Sequence, residues 1–121
     1  STVATGNRDA AADALEWLIA TRAAAQAVRA NAAVGRFGLF GSSIAATWIA
    51  QGVDCVMDFF VDEDVHRHGE RFFDRPVLSP AEVPDGSSVF IGIGGGAAER
   101  VAARLSRNHP AVSWIAGPPL P

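Results

Sequence analysis

The sequence predicts an α/β sandwich of three layers, with a long N-terminal helix and about five mostly parallel strands. Three observations predict it. Short apolar runs alternate with stretches of helical period, glycines sit at the strand-to-helix junctions, and the first quarter of the chain is rich in alanine. The 121 residues make one domain, able to bury roughly two thirds of its unfolded surface.

From Arg8 to about Ala33 there is neither Gly nor Pro, which predicts one long helix with Asn7 as its N-cap. Asp9, Asp13 and Glu16 precede Arg22 and Arg29, the order that suits the helix dipole. Ala14, Leu18, Thr21, Ala25 and Val28 step at helical spacing and form its apolar face. Residues 1–33 are read as a connector helix, and 34–121 as the compact α/β unit.

Arg36–Phe40 is a short strand, Gly41-Ser42-Ser43 a turn, and Ile44–Ala50 a helix that stops near Gly52. Val53–Val61 is bulky and apolar on both faces, as a buried parallel strand requires, and Asp62-Glu63-Asp64 ends it. Val65–Arg75 mixes charges and reads as an exposed loop. Ser79-Pro80-Ala81-Glu82 is a capped helix start that Val83-Pro84 cuts short. Ser88–Ile93 is a strand running into Gly94-Gly95-Gly96, Ala97–Arg107 a helix, and Val112–Ala116 the last strand.

Composition removes several classes of function. Hydrophobic residues make up 49% of the chain against 19% charged, so it is no disordered segment. The net charge of −3 lacks the basic stripe of a nucleic-acid binder. No apolar run is long enough to span a bilayer, so no membrane partner is expected. No basic stretch followed by an apolar one opens the chain as a secretory signal would. The single cysteine, Cys55, excludes an internal disulfide, and a reducing cytoplasm is expected. All ten basic residues are arginine, which removes Schiff-base and Walker-A lysine chemistry. The ending Gly117-Pro118-Pro119-Leu120-Pro121 reads as part of a longer protein.

Chemistry is expected where the predicted strands end. The dinucleotide fingerprint G-x-G-x-x-G/A becomes Gly41-x-Ser43-x-x-Ala46 here. Gly41 permits the tight turn, while the hydroxyls of Ser42 and Ser43 can serve a phosphate or simply cap the helix. Asp62 follows Gly41 by 21 residues, where Rossmann domains keep the acid that binds ribose hydroxyls. Asp64, and Glu63 between them, are alternatives, and a solvated acidic turn is the plain reading. Gly94, Gly95 and Gly96 expose backbone N–H groups at the next helix start. Together these loops predict one crevice for a nucleotide or another anionic ligand, with Arg100 adding charge.

Other groupings are weaker. His66-x-His68 beside Asp62 and Asp64 suits mobile surface histidines better than a metal. No nucleophile elbow occurs, and Cys55 lies within a predicted strand. Asp58, in the same strand, is expected to pair with an arginine or cap a loop. No catalytic residue, metal ligand or cofactor set is assigned, and the isolated chain is expected to catalyse nothing. A homodimer built through the alanine-rich helix, with Trp17 and Trp48, is the alternative to ligand binding.

One set of motifs points further. Gly41-Ser42-Ser43, Phe59-Phe60-Val61-Asp62-Glu63-Asp64, His68-Gly69 and Arg75-Pro76-Val77-Leu78-Ser79-Pro80 occur in this order between residues 36 and 107. The set resembles the small Rossmann-like domain that follows the S-adenosylmethionine domain in some bacterial methyltransferases, including sugar C-methyltransferases. It is similar, more loosely, to the N-terminal domain of bacterial sugar acyltransferases, which cradles a nucleotide sugar. The resemblance implies an accessory domain whose partner is a preceding catalytic domain that holds S-adenosylmethionine. It implies a nucleotide-sugar ligand at the crevice. The methyltransferase group carries a lysine in the first turn, where this chain has none.

Overall fold

The computed structural model describes residues 2–41, 57–72, 74–93 and 96–119. Helix α1 spans Thr2–Asn31. The strands are β1 (Phe37–Phe40), β2 (Phe59–Val61), β3 (Arg71–Phe72), β4 (Arg75–Leu78), β5 (Ser88–Ile91) and β6 (Ser113–Ala116). Helix α2, Ala97–Asn108, connects β5 to β6. The six strands form one sheet in the order β3-β4-β2-β1-β5-β6. Among these strands only the β3–β4 pair is antiparallel; the other four pairings are parallel.

Strand period sorts the side chains into two cores. Phe37, Leu39, Phe60, Val77 and Phe90 pack with Ala25 of α1, and Ala24, Val28 and Ala32 flank them. Phe59, Val61, Val89, Ile91 and Trp114 pack with Ala98, Ala102 and Leu105 of α2. Neighbouring residues Phe59 and Phe60 therefore serve opposite layers. The result is α1, sheet and α2 stacked as three layers, the α/β architecture expected from the strand and helix periods. The small alanine faces of both helices let them lie close to the aromatic sheet residues.

Several boundaries differ from expectation. Helix α1 begins at Thr2, ahead of the expected Asn7 cap, and it ends at Asn31. Gly6 costs a helix interior only about 1 kcal/mol, less than cooperative propagation recovers. The second half of α1 packs on the sheet, whereas Ala10–Glu16 is exposed. The helix leaves the sheet at Trp17, whose indole N–H donates to the Pro118 carbonyl at 2.7 Å.

Val65–Arg75 is more ordered than a loop. It contains a 3₁₀ turn at Val65–Arg67 and strand β3, which pairs with β4 around a bend where Asp74 has φ of +60°. A strand of two residues has no period to read, and its anchor is a distant ring contact. Phe72 meets Phe60 edge-on, with centroids 4.9 Å apart. The Ser79–Glu82 start is a 3₁₀ turn in which the Ser79 N–H donates to Glu82 Oε1 at 2.9 Å.

Met57 and Asp58 stand outside β2. Asp58 caps the start of β1, and among the described residues no arginine forms an ion pair with it. Its Oδ2 accepts the Phe37 N–H at 3.0 Å, and its own N–H donates to the Phe37 carbonyl at 2.8 Å. The expected Ile44–Ala50 helix, Trp48, Val53–Cys55 and residue 56 lie outside the described residues.

Candidate functional site

Parallel strands align their carboxyl ends, and the sheet order locates the opening there. The chain passes from β1 to β2 on one side, while β5 joins the other side of β1 and leads to β6. This reversal at β1 and β5 is the topological switch point, the place where open α/β sheets bind their ligands. Gly41 ends β1, Asp62 ends β2, and Gly96 follows β5 as the N-cap of α2. All three therefore sit on one edge.

Two of these positions need glycine. Gly41 has φ of +90° and Gly96 has φ of +74°, a left-handed region that strains other residues. Nothing lies within 4 Å of where a Gly41 Cβ would stand, so conformation rather than crowding selects glycine there. The Gly41 N–H donates to the Val61 carbonyl at 2.6 Å, fixing the turn against the start of the acidic segment. At Gly96 the guanidinium of Arg100 comes within 3.8 Å of the Cβ position. Arg100 thus reaches back toward the N-terminus of α2, where helix N–H groups and the dipole favour an anion.

The three acids after β2 have different employment. Asp62 is half-buried; its N–H donates to the Leu78 carbonyl at 3.0 Å, and its Oδ1 accepts the Asp64 N–H at 2.9 Å. Its carbonyl accepts His68 Nε2 at 2.7 Å, so that ring nitrogen carries the proton. Asp64 is exposed and caps the following 3₁₀ turn, its Oδ1 accepting the His66 N–H at 3.0 Å. Glu63 grips Arg104 of α2 through two bonds of 2.6 and 2.7 Å. The hydrogen bond from Arg104 holds the Glu63 carboxyl below the usual carboxylate range, and Glu63 raises Arg104 in turn. Asp64 is a turn cap, and Glu63 is a strut between β2 and α2.

Gly41, Asp62 and Asp64 follow the carboxyl ends of β1 and β2, and Gly96 caps α2 after β5, at the same edge of the sheet. Ser42, Ser43, Gly94 and Gly95 lie outside the described residues. The sequence reading missed the Glu63–Arg104 strut, because 41 residues separate the partners and no local pattern joins them. Arg36 precedes β1 and stands at the opposite, amino edge. His68 is committed to the Asp62 carbonyl. Among the described residues no group of three or more His, Cys, Asp or Glu side chains is arranged to hold a metal ion. No helix among them is long and apolar enough to cross a membrane.

Comparison with protein-family models, curated proteins and solved structures finds no match. The fold defines an α/β protein with a six-stranded, mostly parallel sheet.

Proposed function

We propose that this chain is an accessory domain that binds a nucleotide or nucleotide sugar at the carboxyl edge of its sheet. The observation that carries the reading is the convergence of Gly41, Asp62 and the Gly96-capped N-terminus of α2 at the switch point. Phosphate would lie against the backbone N–H groups at the Gly96-capped N-terminus of α2, with Arg100 adding a positive charge. A ribose or sugar hydroxyl would donate to the Asp62 carboxylate. By the resemblance to methyltransferase C-terminal domains, the methyl donor belongs to a preceding catalytic domain. The residues of this chain then bind and orient a substrate and take no part in methyl transfer.

Few charge-assisted bonds are on offer, so the affinity should be weak, on the order of tens to hundreds of micromolar. The test is a titration of nucleotides and nucleotide sugars, followed by calorimetry and amide chemical shifts. Shifts centred on Gly41, Asp62 and Gly96, with Asp62→Ala weakening binding about tenfold, support the reading. No shift at these residues with any compound overturns it. Binding of labelled S-adenosylmethionine to this chain would overturn the accessory role.

A further inference from the structure

We propose that the outer face of α2 docks the acidic first half of α1 from a second copy of this chain. On α2, Arg100, Arg104 and Arg107 recur at i, i+4 and i+7 on the side away from Ala98, Ala102 and Leu105, which face the sheet. With Ala97, Val101 and Ala103 they line an open groove of about 590 Å³. Arg104 is held by Glu63, whereas Arg100 and Arg107 are exposed and have no ion-pair partner among the described residues. The groove is therefore basic with an apolar floor.

The complement is on the same polypeptide. Asp9, Asp13 and Glu16 occupy i, i+4 and i+7 of α1, the same spacing as the three arginines. At the α-helical rise both sets span about 10.5 Å. Asp13 and Glu16 are exposed and have no ion-pair partner among the described residues. Ile19 is 58% exposed and follows Glu16 by one turn, an apolar residue that matches the groove floor. This part of α1 runs past the Trp17–Pro118 contact and off the sheet. Within one chain the sheet separates α1 from α2, so the two stripes cannot meet. Between two copies they can. Each copy offers both stripes, so a two-fold pair makes the contact twice.

The experiment is sedimentation of the 121-residue chain over a range of concentrations, at about 50 mM and about 500 mM salt. The expected result is a dimer at low salt that weakens at least tenfold at high salt. Glu16→Arg and Arg107→Glu should each weaken it about tenfold, with unchanged circular dichroism. Mixing the two single variants should restore a dimer, because one contact then pairs the two substituted side chains with their charges reversed and the other keeps the native Glu16–Arg107 pair. A monomer at all concentrations overturns the proposal, as does a dimer indifferent to both substitutions or failure of the mixture to recover. Inorganic pyrophosphate that shifts the Arg107 signals of a monomer would overturn the proposal and assign the groove to small anions. Neither substitution touches Gly41, Asp62 or Gly96, so this test fails or succeeds separately from the nucleotide titration.

Discussion

Glu63 and Arg104 face each other in a two-bond pair that ties the end of β2 to the middle of α2. The pair braces the carboxyl edge of the sheet from the α2 face. It also sets an acid limit on stability. Glu63 is held below the usual carboxylate range, first by the Arg104 hydrogen bond. A carboxyl depressed in the folded state contributes stability above its unfolded pKa, about 4.3, and loses it as pH falls through the folded value. Thermal unfolding followed from pH 7 to pH 2.5 should show wild type above Glu63→Gln at neutral pH, with the gap closing below about pH 4.3. The gap should stay small and shrink with salt, because both side chains are about two-fifths exposed. Glu82, lowered by the Ser79 N–H, works in the same direction, so the variant keeps part of the acid limb.

Asp58 and Phe37 exchange two hydrogen bonds where β1 begins and β2 is about to begin. Removing the carboxylate takes away the acceptor of the buried Phe37 N–H at the sheet's amino edge. Asp58→Ala should cost about 1.5 kcal/mol in urea unfolding, and Asp58→Asn should recover most of it because the amide oxygen still accepts. Equal losses for both variants would sink the capping role.

The layers were legible because strand period and alanine-rich helix faces are local signals. Phe59-Phe60-Val61 cannot be satisfied by one face, and the structure covers both. Gly41 and Asp62 were legible for a similar reason: a turn glycine and a strand-ending acid are fixed by the elements they terminate. What sequence could not show were relationships between distant parts. The β3–β4 hairpin depends on Phe72 meeting Phe60, and the role of Glu63 depends on Arg104. Without those partners, Val65–Arg75 reads as loop and the three acids read as equivalent.

Gly38 of β1 sits opposite Phe59 of β2, and both residues are buried. A Cβ at Gly38 would run into the Phe59 ring, which packs in the α2 core. Gly38→Ala should therefore destabilise the chain by about 1–3 kcal/mol, the usual cost of overpacking. Adding Phe59→Leu should recover part of that loss although the substitution removes an aromatic ring from wild type. Additive losses in chemical denaturation would show that the two side chains do not compete for the same space.

Thr21 offers a change of opposite sign. It is fully buried on α1, and its Oγ1 has no hydrogen-bond partner among the described residues. A hydroxyl taken from water without a partner is a standing cost, and valine has nearly the same shape without it. β-branching is common to both residues, so the helix backbone gains and loses little. Thr21→Val should raise stability by about 1 kcal/mol, with a higher urea midpoint and an unchanged slope. Thr21→Ser keeps the hydroxyl and removes a methyl from the packed face, so it should destabilise. If valine destabilises as serine does, the hydroxyl has a partner and the α1–sheet contact has a polar component.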